Sequence, residues 1–157
     1  MLALRNNTMT FKQKIHQYYS RMVEDRIDAF RDMISALTED SKNDAKGSAG
    51  DKHETALSMM HLEQEKFNNK LREVIDQKAV LDKMDATIVA QSVALGSLVK
   101  ANGIYLYVSL ALPKINVEGV NVIALSPQSP LGNKLMGNSI GFTFEINGTK
   151  YLIESVE

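Results

Sequence analysis

Thr38-Glu39-Asp40-Ser41-Lys42-Asn43-Asp44-Ala45-Lys46-Gly47-Ser48-Ala49-Gly50-Asp51-Lys52-His53-Glu54 is a seventeen-residue stretch without a single large apolar side chain. Hydrophobic residues return at helical spacing on both sides of it. A polar turn between two long amphipathic helices is the sequence pattern of an antiparallel helical hairpin. The turn then forms the far end of a rod, a placement suited to reaching a partner.

Upstream, residues 1–9 offer little periodicity, and Thr10 is a candidate cap for the first helix. Phe11, Ile15, Tyr18 or Tyr19, Met22, Val23, Ile27, Phe30, Met33, Ile34 and Leu37 follow at steps dominated by three and four, which puts them on one stripe. Lys12, Lys14, Arg21, Glu24, Asp25, Asp28 and Asp32 fall mostly off it. A helix of about 27 residues would reach ~40 Å.

Downstream, Met60, Gln64, Phe67, Leu71, Val74, Lys78 and Leu81 alternate steps of four and three, a heptad seam. Met59, Leu62, Ile75 and Met84 widen the stripe. Two seams and one polar turn predict an antiparallel coiled-coil hairpin over residues 1–85, with an acidic tip at about 38–54. Its methionines and aromatics read as ordinary packing, not as a cofactor box.

Charge is unevenly divided. Residues 1–85 hold 14 of the 18 Lys/Arg and 15 of the 19 Asp/Glu, and the remaining 72 residues hold four of each. A charge-laced half is thus followed by an apolar one. The formal net charge of -1 gives no reason to expect affinity for bare nucleic acid, which normally needs a basic face. The chain has no cysteine, which excludes disulfides and thiolate metal sites. No signal-peptide core opens it, and Ile88 to Val99 is too short and too polar to span a bilayer. The expectation is a soluble, cytoplasmic protein.

Beyond Asp85, β-branched residues and turn dipeptides predict a second domain over 86–157. Ser97–Lys100 and Ile104–Leu112 flank Asn102-Gly103, and Ile140–Ile146 and Thr149–Val156 flank Asn147-Gly148, two type I′ hairpin signals. Val120–Leu125 reads as another strand. Ser129-Pro130-Leu131-Gly132-Asn133-Lys134-Leu135-Met136-Gly137 has a serine cap, a proline at the first helical position and a closing glycine. The prediction is an α+β domain of four or five antiparallel strands with one short helix.

The string from Ala124 to Gly141 carries a family resemblance. Ser129, Pro130, Leu131 and Gly132 at a helix start, Leu135 and Gly137 at its end, and Gly141 opening a strand resemble the C-terminal domain of the Gre transcript-cleavage factors of bacterial RNA polymerase. Where that family has an acidic residue after the last glycine, this chain has Phe142. The resemblance implies an FKBP-like C-terminal domain behind an N-terminal coiled coil.

It also implies a functional tip. The family carries a glycine-aspartate-x-x-glutamate pattern there, and this chain has Gly50-Asp51-Lys52-His53-Glu54. By resemblance the rod enters the polymerase secondary channel, and Asp51 and Glu54 act in the polymerase active site by sharing a Mg2+ ion. The spacing suits that chemistry: residues three apart share a helix face, and magnesium takes one or two protein carboxylates while keeping several waters. The factor alone would not be an enzyme and would have no cofactor of its own. Its partner would be RNA polymerase, with contact to the nascent RNA 3′ end only in the complex.

Alternatives stand beside this reading. Asp51 followed by Glu54 is also a capping-box pattern that satisfies amides at a helix start. Thr55, Leu57 and Ser58 depart from the family, Ala56 agrees with it, and Glu39, Asp40 and Asp44 are extra acids. A regulator that enters the channel without promoting cleavage would fit those departures. An FKBP-like fold also raises prolyl isomerase or chaperone activity, which needs an aromatic-lined pocket built from Tyr105, Tyr107, Phe142, Phe144 or Tyr151. Tyr105, Leu110 and Ile140 are either core or a docking patch. Lys46–Lys52 fails the P-loop spacing. His16, His53 and His61 form no metal-ligand set, although His53 sits between the tip acids.

Overall fold

The structure, a computed structural model, describes residues 8–47 and 51–157, with the side chains of 41–53 outside that description. Helices α1 (Phe11–Gly47) and α2 (Asp51–Asp82) come first. They are followed by β1 (Leu98–Ala101), β2 (Ile104–Val108), β3 (Ile115–Val117), β4 (Val120–Leu125), the short helix α3 (Pro130–Leu135), β5 (Thr143–Ile146) and β6 (Thr149–Val156). Two compact units result: a helical one, Arg21–Ala79, and a globular one that combines Met1–Ser20 with Val80–Glu157.

Helix α1 opens on a reciprocal cap. The Gln13 N–H donates to Thr10 Oγ1 at 3.1 Å, and the Thr10 N–H donates to Gln13 Oε1 at 2.8 Å. Thr10 is thus the cap the sequence suggested. The far end differs from expectation, since helix continues through Thr38–Gly47 and resumes at Asp51. Glu39, Lys42, Ala45 and Lys46 in that stretch are good helix formers, and no proline interrupts them. A segment without apolar residues lacks periodicity, but it can still extend a helix already nucleated by packing upstream.

In the helical unit the two helices pack with partners in opposing order. Glu24 meets Lys78 (3.4 Å), the Phe30 ring lies 6.2 Å from Phe67, and Thr38 Oγ1 accepts from Gln64 Nε2 at 3.0 Å. Partner numbers fall as α1 numbers climb, so the helices run antiparallel. Every member of the seam Met60, Gln64, Phe67, Leu71, Val74 and Lys78 is shielded at least in part, whereas Met59, Leu62 and Ile75 are exposed. The narrow three-four seam is therefore the packed one; three of the four residues expected to widen it face water, while Met84, beyond the end of α2, is half-buried.

The globular unit holds a six-stranded sheet in the order β3-β4-β2-β1-β6-β5. It is mixed, which corrects the expectation of four or five antiparallel strands: β2 and β4 pair parallel, Tyr105 opposite Val122 and Val108 opposite Leu125. After β2 the chain forms β3 at the sheet margin and turns back, so β4 slides between β3 and β2 in the direction of β2. Period-two alternation fixes which face each residue takes, but it does not choose the neighbouring strand.

Both Asn-Gly turns form as expected, with positive φ at Asn102, Gly103, Asn147 and Gly148. A third two-residue turn, Glu118-Gly119, joins β3 to β4 with φ of 53° and 82°. The cap of α3 is also as read. Ser129 Oγ accepts from the Gly132 N–H at 3.0 Å, and Pro130 takes the first turn.

The sheet has two covered faces. On one, Val99, Leu106, Val108 and Ile153 pack with Leu135 of α3. Side chains of the opposite parity face the first turns of α1: the Phe11 ring meets Tyr105 edge-on at 5.4 Å, and the Tyr19 ring stacks on Tyr107 at 6.2 Å. Four polar bonds fasten the same turns. Lys12 Nζ donates to the Ile88 carbonyl (2.6 Å), Lys14 pairs with Glu118 (2.6 Å), His16 Nδ1 bonds the Tyr107 hydroxyl (2.7 Å), and the Tyr19 hydroxyl donates to the Pro113 carbonyl (2.8 Å). Lys12, expected off the apolar stripe, is only 4% exposed. Its stem joins the buried face while the carbonyl satisfies its head.

Candidate functional site

The first turn of α2 carries the proposed tip. Asp51 opens the helix and Glu54 stands three residues on, so the two positions share one face by helix geometry. The Glu54 side chain is exposed. The side chain of Asp51, that of His53, and all of Gly50 lie outside the described residues.

At the end of α1, Glu39 and Asp40 are exposed, and the Asp44 side chain lies outside the description. Thr38 closes a polar crossing: its hydroxyl donates to the Ile34 carbonyl at 3.0 Å and accepts from Gln64. That bond holds α2 against α1 ten residues inside Glu54. Among the described residues, no group of three or more His, Asp or Glu stands together as a metal site. Asp51 and Glu54 offer two carboxylates at most, within the one or two that magnesium takes from protein.

The remaining candidates separate in space. Tyr105 and Tyr107 lie on the α1 side of the sheet, whereas Phe144 and Tyr151 pack against the α3-side core and Phe142 stacks on Phe144 at 6.0 Å. The five aromatics do not converge on one pocket. Tyr105 is half-buried under Phe11, with Lys100 Nζ 5.6 Å from its ring centre, and so belongs to the packed face. Leu110 is half-buried, and Ile140 is 65% exposed, which leaves Ile140 as surface. His16 is taken up by Tyr107, and His61 is exposed on α2.

The residues with displaced protonation equilibria cluster at the seat of α1. Burial holds the Lys12 ammonium below its ordinary range even though the Glu157 and Asp85 carboxylates pull the other way. Burial raises Tyr19 to about 12 and pushes Tyr107 up as well. Asp85 is held below the usual carboxylate range by hydrogen bonds from the Thr87 hydroxyl and N–H, with a smaller pull from Lys12 and His16. Sequence reasoning missed this group because Lys12 and His16 sit at i and i+4 on a face that becomes buried only once the sheet covers it.

Among the described residues no helix is long and apolar enough to cross a membrane. No protein-family model matches the chain. No curated protein matches it either.

Proposed function

We propose that this protein is a transcription elongation factor of the Gre type. In this reading it binds bacterial RNA polymerase in the cytoplasm, inserts its helical pair as a coiled-coil hairpin into the secondary channel and stimulates cleavage of the transcript in backtracked complexes. One observation carries the reading: two long helices pack in antiparallel order, and the second begins at Asp51, which puts Asp51 and the exposed Glu54 in its first turn. The serine-proline-leucine-glycine start of α3, capped by Ser129 with Pro130 in the first turn, is the motif that carries the resemblance and supports it as well.

Asp51 and Glu54 would hold one Mg2+ ion together with the polymerase. That ion supplies Lewis-acid activation of a water for attack on the RNA backbone. The residues of this chain deliver charge and fix direction: a carboxylate pair on a rigid helix end loses less entropy on engaging a cation than one on a loop. Long helices with a shielded seam serve as a stiff carrier.

A non-cleaving regulator that occupies the same channel is the second reading, favoured by Thr55, Leu57 and Ser58 and by the extra acids Glu39, Asp40 and Asp44. A cleavage assay on stalled polymerase separates the two. Magnesium-dependent shortening of the RNA, lost in Asp51→Asn and Glu54→Gln proteins that still bind, supports the first. Binding without shortening supports the second, and absence of binding overturns both.

A further inference from the structure

The β5–β6 hairpin presents a strand edge that is bonded on one side only. Ile146 and Thr149 flank the two-residue turn at Asn147-Gly148. A type I′ turn makes that flanking pair a hydrogen-bonded one, and bonded and non-bonded pairs alternate along an antiparallel ladder. Phe144 and Tyr151 are then bonded to each other. Thr143 and Glu145 turn their N–H and C=O groups away from β6.

The inner side of β6 confirms this register. Lys150 and Leu152, opposite Glu145 and Thr143, point their backbone groups away from β5, and the Asn102 side chain takes both: Nδ2 donates to the Lys150 carbonyl at 2.6 Å, and Oδ1 accepts from the Leu152 N–H at 3.0 Å. One carboxamide thus does for β6 what a neighbouring strand would do. On the outer side, among the described residues, no group bonds the outward N–H or C=O of Thr143 or Glu145, and β5 is the last strand of the sheet.

Side chains beside this edge are chemically distinct on its two faces. On one face Phe142, Phe144 and Tyr151 form a continuous stack, with ring centres 6.0 and 5.1 Å apart and Phe142 39% exposed. Thr143, Glu145, Lys150 and Leu152 take the other face by alternation, where they and Asn102 line a shallow groove that Phe144 and Tyr151 also border. There Glu145 is the outermost charge, with Lys150 opposite it on the inner strand.

We infer that β5 accepts an extended peptide segment of another protein as a seventh, antiparallel strand, with an apolar or aromatic residue against Phe144 and a basic residue against Glu145. Unpaired amides select a strand over a helix, because a helix has satisfied its own backbone. Against the added strand, Phe144 would stand in a non-bonded pair, where side chains approach most closely, so an aromatic residue there extends the stack. Glu145 adds charge complementarity and disfavours self-pairing in registers that bring two glutamates together. This inference does not depend on the proposed polymerase function.

The test uses the full chain, amide hydrogen exchange and titration with a blocked peptide, acetyl-Thr-Val-Lys-Phe-Thr-Val-Thr-amide. In the free protein the Thr143 and Glu145 amides should exchange rapidly while those of Phe144 and Ile146 are protected. Peptide should slow Thr143 and Glu145 at least tenfold and shift the Phe144 ring signals. Placing Glu in the peptide at the Lys position should weaken binding at least fivefold, and Glu145→Lys should restore that peptide. The inference is overturned by Thr143 and Glu145 amides already protected in the free protein. Protection that grows with protein concentration, which marks a second copy as the occupant, would also overturn it. So would unchanged spectra at millimolar peptide, or binding indifferent to the charge exchange.

Discussion

The imidazole Nδ1 of His16 and the hydroxyl of Tyr107 lie 2.7 Å apart, joining the second turn of α1 to the fully buried heart of β2. The rings also meet edge to face at 6.2 Å, and Tyr19 stacks on the other tyrosine's flank. The hold of α1 on the sheet is therefore aromatic and hydrogen-bonded at once.

Alkaline pH should loosen that hold. Tyr19 is raised to about 12 and Tyr107 is raised too, so both remain neutral in the folded protein after an unfolded tyrosine, near 10, has ionised. Their contribution is complete below about pH 10 and is lost as pH climbs towards 12. Denaturant midpoints measured from pH 8 to 12 should fall across that window. Tyr19→Phe should flatten part of the fall and cost about 1 kcal/mol at pH 8, where Pro113 loses its donor.

Lys12 and Asp85 predict opposite responses. The lowered Lys12 value penalises folding while the ammonium is charged, so Lys12→Met should match or exceed the parent in stability at pH 7, while Lys12→Ala should lose about 2 kcal/mol through lost packing. Asp85 is held below its ordinary value by Thr87, and its contribution is present above about pH 4 and disappears as pH falls through the lower folded value. Thr87→Val should reduce the acid-limb slope of a stability profile. Thermal melts across pH 2–9 read both effects.

The helical unit should tolerate change by seam position. Val74 is 2% exposed, and Val74→Ala should cost about 1–3 kcal/mol. Met59→Ser and Leu62→Ser, at 64% and 65% exposed, should shift stability by less than about 0.5 kcal/mol. Equal losses at all three positions, measured by chemical denaturation, would mean that the widened stripe rather than the three-four seam is packed.

The α3 start should be the least forgiving point of the globular unit. A Cβ at Gly132 would run into the Ser126 carbonyl oxygen and the Pro127 backbone, so Gly132→Ala should cost several times the ~1 kcal/mol expected for removing the cap with Ser129→Ala. Midpoints of unfolding for the two variants give the comparison.

Local chemistry was legible in the sequence wherever one residue type has one physical use. Asn102-Gly103 and Asn147-Gly148 announced their turns because asparagine and glycine accept positive φ. Glu118-Gly119 adopts the same conformation, but glutamate is a poor signal for it, and the three-residue strand beside it is too short for periodicity to register. The parallel pairing of Tyr105 with Val122 was hidden because faces, not neighbours, are written in alternation. Tyr19 rather than Tyr18 is the buried member of its pair, a choice the spacing left open and the sheet decided. At the candidate site the acids and their three-residue interval could be read, while the continuation of helix through Thr38–Gly47 could not, because polar helix carries no apolar rhythm.

The helical unit is an insertion: the chain leaves the globular unit at Ser20 and comes back at Val80. Limited proteolysis between α2 and β1 would therefore nick the molecule without dividing it, because Lys12, Ile15 and Tyr19 would stay buried in the globular unit on the severed fragment. A fragment that starts after Asp85 would be missing part of its own interior. Dissection experiments on this protein should keep both chain segments, or replace residues 21–79 with a short bridge.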